Sequence, residues 1–382
     1  MRRLLIFCSA IVFFDVTFYA AIAPLLPEYA SDFDLSKAEA GILSASYAAG
    51  TLIFSLPAGW LATRLGPRRT VISGLVLLGV SSAIFGFGEQ IVLLDLTRFS
   101  QGIAGAMVWS GALTWLITTT PPERRGSVIG ATLGTAVAGA LAGPVLGALA
   151  AEVGTELVFG SVLAIAIALA AIASRLPEGG APEEQSMREV AATIVSRPIL
   201  TVTAFVAVPS LMFGAVEVLV PLRIDELGGG HALIAAAFVA GAALEATLAP
   251  LAGRFSDRVG RRLPYVTGLS ICAFAMLVIG TTSVLGIVLA GLICGSFGAG
   301  VCFAPALTML SEGAESSSLH QGYAAGLSNM AWAAGQVIGG VAGGAAASAA
   351  GYALPGIAIS ALLLGTAAYA RHVLAPGATP PA

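Results

Sequence analysis

Long apolar stretches are the feature that most limits what this chain can fold into. Hydrophobic residues make up 57% of its 382 residues, and Asp, Glu, Lys and Arg together make up only 10%. Soluble domains carry about 25% charged residues, so this chain cannot cover a water-facing surface of its own. A formal net charge of -3 also excludes nucleic acid as a partner, because nucleic-acid-binding domains are strongly basic. The lipid bilayer is the expected environment.

The apolar stretches are long enough to cross a bilayer as helices, which needs about 20 residues each. Barrel strands would instead alternate polar and apolar residues over about ten positions, and these Ala-, Leu-, Val- and Gly-rich stretches do not alternate. We therefore predict an all-α membrane protein with twelve transmembrane helices. The predicted spans are 4–27, 40–62, 70–88, 91–118, 126–150, 157–174, 198–222, 232–252, 264–281, 284–310, 322–348 and 351–370.

Basic residues are distributed unevenly between the two sides of the predicted spans. Fifteen arginines flank the span ends on one side, whereas only Lys37 and Arg223 lie on the other side. Positive charge accumulates on the cytoplasmic side of membrane proteins. We therefore predict a multi-pass protein of the cell membrane with both termini in the cytoplasm.

The second half of the chain repeats the first at an offset of about 195 residues. Span five has Gly130, Gly139, Gly143-Pro144 and Gly147, and span eleven repeats this glycine spacing 196 residues later. An even number of spans separates the copies, so both insert with the same orientation and are related by a pseudo-two-fold axis along the membrane normal. The predicted units are a six-helix half at 1–174, a cytoplasmic linker at 175–197 and a six-helix half at 198–382.

Several motifs resemble the major facilitator superfamily, and the resemblance extends over the whole chain. The run from Arg98 through Gln101-Gly102 in span four resembles its proton-coupling signature, and the span-five glycines resemble the signature of its proton antiporters. In span one, Asp15 followed by two prolines is similar to vesicular amine transporters and bacterial multidrug exporters. The resemblance implies the twelve-span drug:proton antiporter branch, which works by alternating access. We expect a functional monomer that needs no cofactor.

The loops after spans two and eight resemble the general signature of the same superfamily. The resemblance implies a cytoplasmic gate in which an acidic residue holds a helix end, although Thr63 stands where the first loop would carry this acid. The implied gate residues are Gly59, Arg64, Gly66 and Arg68 in the first loop, and Gly253, Asp257, Arg258, Gly260 and Arg261 in the second.

Acidic residues inside the spans are the candidates for binding protons and substrate. A charge near the bilayer centre costs a few kcal/mol, so Asp15, Glu217 and Glu245 should line a cavity or have a partner. A buried carboxyl can hold either a proton or a cationic substrate, and this exclusion is the minimum that antiport requires. The alternative is that each carboxyl is a structural hydrogen-bond partner.

Arg98 is the one arginine inside a predicted span, and Asp95 lies three residues before it on the same helix face. An ion pair within the helix is the interpretation we favour for Asp95. For Arg98 we favour a role in coupling, in which its positive charge acts on the protonation of a nearby carboxylate.

Further candidates lie near these charges. Phe18 and Tyr19 follow Asp15 by one turn, and aromatic faces attract organic cations, although such residues more often pack against neighbouring helices. Asn329, Trp332 and Gln336 share one face of span eleven. The stripe of span-five glycines allows a neighbouring helix to approach closely, and we expect it to form a tight contact between the two halves.

Three functions remain open. The first is a proton-coupled exporter of hydrophobic or cationic organic compounds, and the second is a transporter of a polar metabolite such as a sugar or an amino acid. The third, a membrane sensor without transport, lacks support because the chain has no sizeable soluble domain. No nucleotide-binding loop, metal cluster or nucleophile-base arrangement indicates an enzyme.

Overall fold

The computed structural model describes residues 2–178, 187–317, 319 and 321–374, and all regular structure in these ranges is helical. Part of the predicted linker, 179–186, lies outside the described residues. The helices are α1 Arg2–Ala20, α2 Ile22–Asp32, α3 Lys37–Arg64, α4 Pro67–Gly86, α5 Ile91–Thr119, α6 Pro122–Val153, α7 Thr155–Ser174, α8 Met187–Ile194, α9 Arg197–Glu226, α10 His231–Val259, α11 Arg262–Thr281, α12 Leu285–Ser316, α13 Gln321–Ala350 and α14 Ala353–Val373.

The prediction of an all-α membrane protein is confirmed. With α1 and α2 counted as one span, eleven helices of the described residues are long and apolar enough to cross a membrane. The Gly- and Ala-rich α13 is a further helix of 30 residues. A short helix, α8, lies in the segment that the sequence indicated only as a polar linker.

Span one differs from the prediction because it is divided into two helices at Ala21. Pro24 explains the division, since a proline ring collides with the carbonyl of the residue four positions earlier, here Ala20. The helix therefore ends at Ala20 and restarts at Ile22. This break lies close to Asp15 and Tyr19, which makes it important for the site described below.

Two groups of helices form the body of the protein, and we refer to α1–α7 as the N-terminal half and to α9–α14 as the C-terminal half. One large apolar core lies in the C-terminal half, and two further cores and one small cluster lie in the N-terminal half. Val218 and Leu222 of α9 belong to a core of the N-terminal half, together with Leu25 and Leu26 of α2. The unit boundaries at 174 and 198 remain predictions.

The loops after α3 and α10 adopt the same turn, in keeping with the sequence repeat. Gly66 and Gly260 are 194 residues apart, and each has a φ of 86°. Glycine adopts this left-handed backbone without steric cost, whereas other residues do so only rarely. The helix ends around them form a surface that we call the arginine-rich face, defined by Arg64, Arg68, Arg254, Arg258 and Arg261.

The opposite surface, which we call the Lys37 face, is defined by Lys37, Glu226, His231 and Ser348. Here the two halves are in close contact. The Lys37 ammonium lies 2.9 Å from a Glu226 carboxylate oxygen, and the backbone N–H of Ala38 donates to Ser348 Oγ at 2.9 Å. A Cβ atom added to Gly41 would lie 2.4 Å from the carbonyl oxygen of Gly340, so α3 and α13 pack backbone against backbone.

The part of α6 nearer the arginine-rich face is much more open. A Cβ atom added to Gly130 or Gly134 would meet no atom within 4 Å, and the same holds for Gly253 on α10. The two halves are thus closed at the Lys37 face, while α6 and α10 have free space beside them towards the arginine-rich face.

Candidate functional site

Asp15 is the most deeply buried of the candidate carboxylates, with only 1% of its surface exposed. The Tyr47 hydroxyl of α3 lies 3.1 Å from each of its carboxylate oxygens, and Trp109 Nε1 of α5 donates to Oδ2 at 3.2 Å. A buried carboxylate needs such donors because it has lost its hydration. Three helices of the N-terminal half therefore converge on this one acidic group.

Tyr19 connects the two halves. Its hydroxyl donates to Glu217 Oε1 of α9 at 2.5 Å and accepts a hydrogen bond from Gln336 Nε2 of α13 at 3.0 Å. Its ring lies 5.4 Å from that of Trp332, also on α13, in an edge-to-face arrangement. One side chain of the N-terminal half thus contacts three predicted site residues of the C-terminal half.

Tyr47 and Tyr19 also contact each other, with ring centroids 4.8 Å apart. Asp15 and Glu217, which lie in different halves, are therefore joined through two tyrosines in contact. Both tyrosine hydroxyls donate to a carboxylate, so the group forms a polar chain within the membrane-spanning region. We call Asp15, Tyr47, Tyr19 and Glu217 the carboxylate-tyrosine chain.

Arg98 is almost completely buried beside this chain, with 1% of its surface exposed. It donates to Gln101 Oε1 at 3.0 Å and to the backbone carbonyl of Tyr19 at 3.3 Å, and its guanidinium carbon lies 5.2 Å from the centre of the Tyr47 ring. Gln101 in turn donates to Ser82 Oγ at 3.2 Å. The free carbonyl of Tyr19 exists because the helix is interrupted at Ala21.

The ion pair that we favoured between Asp95 and Arg98 does not form. Asp95 Oδ1 is buried without a hydrogen-bond partner among the described residues, and Arg98 points instead to Gln101 and Tyr19. The long Arg98 side chain satisfies two acceptors nearer the centre of the protein.

Three other candidates lie apart from the carboxylate-tyrosine chain. Phe18 packs against Phe14 and Phe159 in the apolar core, because successive residues of a helix point about 100° apart and Tyr19 alone faces the other half. Glu245 packs against Gly300 of α12 within the C-terminal half. Asn329 precedes Gln336 by two turns, which places it about 10 Å nearer the arginine-rich face.

The span-five glycines do not form the expected contact between the halves. Cβ atoms added to Gly139, Gly143 and Gly147 would collide with the backbone of α1 and of the break at Ala21, all within the N-terminal half. Pro144 is buried within the same helix. The close glycine contacts between the halves are instead those of α3 with α13, where Gly41 packs against Gly340 and Gly344. The α6 glycines therefore hold α1 in place rather than sealing the two halves together.

The first gate loop contacts its own half and the predicted linker, and the second makes its contacts inside its own half. Arg68 donates to the carbonyl of Leu176 at 3.0 Å and pairs with Glu178, while Arg64 stacks on Trp60. In the second loop Arg261 bridges Asp257, at 3.1 Å, and Glu312 of α12. The acid that the resemblance implied as a latch is thus present in the second loop but engaged locally. Gly59, like Gly253, has open space beside it.

Tyr47, Trp109 and Ser82 are residues of this site that sequence reasoning missed. Tyr47 and Trp109 lie in apolar spans and each carries one polar group, which a buried side chain must pair with a partner. This need for a partner could have marked both residues as candidates. Their common partner, Asp15, is however 32 residues from Tyr47 and 94 residues from Trp109 in sequence. A cluster of three or more His, Cys, Asp or Glu that could hold a metal ion is absent from the described residues.

The chain matches the family model of the Major Facilitator Superfamily over residues 5–318, with a second match over 210–381. The MFS-type transporter ppzB of Metarhizium rileyi is 37% identical over 124 residues, covering 31% of this chain and 26% of that protein. The quinolone resistance protein NorA of Staphylococcus aureus (strain MRSA252) is 30% identical over 109 residues, covering 28% of each. The matched stretch thus spans about a quarter of the length of these relatives.

Solved structures of a bacterial homologue of the human lysosomal transporter Spinster have the same fold. The unoccupied, inward-facing form superimposes with a TM-score of 0.77 at 15% identity, over 97% of this chain and 96% of that one. The occupied form has a TM-score of 0.79 at 16% identity, with the same coverage. At this identity the likeness concerns the fold alone. The match over most of its length, together with the helical architecture, shows that this chain belongs to the Major Facilitator Superfamily, a family of membrane transporters and not of enzymes.

Proposed function

We propose that this transporter is a proton-coupled exporter of hydrophobic or cationic organic compounds that works by alternating access. The observation that carries the proposal is the carboxylate-tyrosine chain, which joins an acidic group of the N-terminal half to one of the C-terminal half through Tyr47 and Tyr19. The partial similarity to a quinolone resistance protein is in keeping with export.

The surroundings of Asp15 and Glu217 favour a cation as the substrate. Arg98 is the arginine in contact with the chain, through the Tyr19 carbonyl and the Tyr47 ring. The rings of Tyr19, Tyr47, Trp109 and Trp332 lie around the same polar groups, and aromatic faces attract organic cations. An anionic substrate would lack a second basic partner among these residues.

Coupling follows from competition for the carboxylates. A protonated carboxyl is neutral and does not attract a cation, whereas an ionised carboxyl attracts both a proton and a cationic substrate. Each carboxylate therefore exchanges a proton for substrate, and Arg98 favours release of the proton by stabilising the ionised form. A difference of one pH unit is worth about 1.36 kcal/mol per proton, enough for about ten-fold accumulation of substrate.

The same exchange controls the contact between the halves. A hydroxyl donates a stronger hydrogen bond to a carboxylate than to a neutral carboxyl, so protonation of Glu217 weakens its bond to Tyr19. A cationic substrate that pairs with the Glu217 carboxylate weakens the same bond. In our proposal either occupant thereby loosens the closure at the Lys37 face, so that substrate leaves and a proton enters through the opened face. The arginine-rich face is then cytoplasmic, with both termini on that side of the cell membrane, and the monomer is the functional unit.

The test is efflux from proteoliposomes with an imposed proton gradient, with ethidium as the lipophilic cation. Asp15→Asn and Glu217→Gln should each abolish acceleration of efflux by the gradient, because an amide cannot exchange a proton. Asp225→Asn, in the last turn of α9, and Glu89→Gln, in the loop after α4, make the same change at exposed positions and should leave it intact. Undiminished gradient-driven efflux in both Asp15→Asn and Glu217→Gln would contradict the proposal.

The same vesicles separate this proposal from transport of a polar metabolite. A panel of lipophilic amines should compete with ethidium, and a panel of sugars and amino acids should not. Competition by the polar compounds alone would assign the site to a polar metabolite instead.

A further inference from the structure

A groove on the membrane-facing surface of the C-terminal half lies between α9 and α14, away from the carboxylate-tyrosine chain. It encloses about 540 Å³. Its floor contains Phe205 and the small residues Ala204, Ala361 and Gly365, and its rims are the half-exposed Leu200, Leu362 and Tyr369. A Cβ atom added to Gly365 would meet no atom within 4 Å, so the groove is unfilled at this point.

The walls of this groove are apolar along its length. Besides the rim residue Tyr369, two threonines of the groove bear hydroxyls. Thr201 donates to the backbone carbonyl of Arg197 and Thr366 to that of Leu362, each within its own helix. Such hydroxyls are satisfied and need no polar ligand. The groove is therefore suited to a hydrocarbon chain.

The length of the groove corresponds to one leaflet of a bilayer. Along α9 it runs from Arg197 to Val208, which is about 16 Å at 1.5 Å per helical residue. The hydrocarbon core of a bilayer is about 30 Å thick, so one leaflet occupies about half of this. A groove that begins at the membrane surface and ends near the midplane fits one acyl chain lying parallel to the helices.

Positive charge gathers where the groove opens at the arginine-rich face. The exposed Arg197 lines its mouth, and Arg371 and His372 lie in the last turn of α14 beside it. Basic side chains at this depth attract the phosphates of anionic lipids. We propose that the α9–α14 groove binds an anionic glycerophospholipid, with an acyl chain in the groove and the head group at Arg197 and Arg371.

Native mass spectrometry of the detergent-purified full chain tests this site. The protein is mixed with phosphatidylglycerol or with phosphatidylcholine of the same acyl composition. We expect preferential retention of phosphatidylglycerol, and Arg197→Gln should weaken its retention about five-fold, the effect of one basic residue at a membrane surface. Arg69→Gln removes an exposed arginine elsewhere on the arginine-rich face and should leave retention unchanged.

Gly365→Phe fills the groove without touching its charges. We expect this variant to lose the bound phosphatidylglycerol, while Gly286→Phe, a change into open space on α12, should keep it. Equal retention of the two lipids by the unmodified protein, or full retention by Gly365→Phe, would overturn the proposal. Loss of ethidium binding in Gly365→Phe without any loss of lipid would also overturn it, because the groove would then belong to the transported compound.

Discussion

The Tyr19 hydroxyl lies 2.5 Å from Glu217 Oε1, and these two residues belong to different halves of the protein. A rocking motion of one half against the other must change this distance. The same hydroxyl accepts a hydrogen bond from Gln336, so the contact responds to two helices of the C-terminal half, α9 and α13. A change in the charge of Glu217 therefore changes the strength of a hydrogen bond that joins the two halves.

Tyr19→Phe should destabilise the form that is closed at the Lys37 face. A hydrogen bond to a charged group is worth about 1.5–3 kcal/mol, so the open population should rise about ten-fold or more. Double electron–electron resonance between spin labels at Asp32 and Asp225, both exposed at the Lys37 face, measures this population. Tyr369→Phe, on the surface of α14, is the control and should not change the distance distribution. An unchanged distribution in Tyr19→Phe would remove Tyr19 from the mechanism.

Tyr47→Phe should move the pH dependence of ethidium efflux to higher pH. Tyr47 donates to both oxygens of Asp15, and losing these bonds favours the neutral, protonated form of the carboxyl. A hydrogen bond to a charged group is worth about 1.5–3 kcal/mol, so the loss should shift the profile by about one to two pH units. Tyr29→Phe removes the hydroxyl of a tyrosine on α2 whose ring packs against Phe33 and Phe85, and its pH profile should match that of the unmodified protein.

Lys37 and Glu226 should act as a lock at the Lys37 face. Glu226 also accepts from Tyr352 at 2.9 Å and from Arg223 at 3.1 Å, which fixes its carboxylate opposite Lys37. Exposed ion pairs are worth about 0.2–1 kcal/mol, so Lys37→Gln should increase the open population by about five-fold at most. The labels at Asp32 and Asp225 measure this change.

Exchange of the two charges supplies the control for that prediction. The double variant Lys37→Glu with Glu226→Lys should regain part of the closure that Lys37→Glu alone loses. Equal opening in the single and double variants would show that the pair does not hold the face closed.

Gly143→Val should destabilise the protein strongly, whereas Gly134→Val on the same helix should not. A Cβ atom at position 143 would lie 2.5 Å from Ala20 Cβ and 2.7 Å from the Thr17 carbonyl, while position 134 has free space. Overpacking of this kind costs about 1–3 kcal/mol. Both variants replace glycine by valine within α6, so the change in helix propensity cancels when they are compared. Melting temperatures in detergent measure the difference. Equal melting temperatures would contradict the packing of α6 on α1.

The positions of most spans could be predicted from the sequence because apolar length alone determines them. Span four, for example, was expected at 91–118, and α5 is Ile91–Thr119. The break at Ala21 was missed although Pro24 and Pro27 were visible, because prolines are often accommodated inside transmembrane helices, as Pro144 is in α6. Whether a proline divides a helix depends on the neighbours that satisfy the freed carbonyls. Here Arg98 takes the carbonyl of Tyr19.

The candidate site could be predicted only in part, for a related reason. The sequence marks Asp15, Glu217 and Arg98 as charges that need partners, but it does not say which partners they have. Tyr47 and Trp109 approach Asp15 from two other helices, and Glu217 is reached from the opposite half. Glu245 carried the same sequence signal as Glu217, yet what the structure shows for it is a backbone packed against Gly300 of α12.

Proton release on substrate binding is the measurement that tests the central claim most directly. Ethidium is added to the purified protein in weakly buffered detergent solution, and a pH indicator reports released protons. We predict release from the unmodified protein and from Asp225→Asn, and none from the double variant Asp15→Asn with Glu217→Gln. Ethidium binding accompanied by the same release from that double variant would contradict the assignment of proton exchange to these two carboxylates.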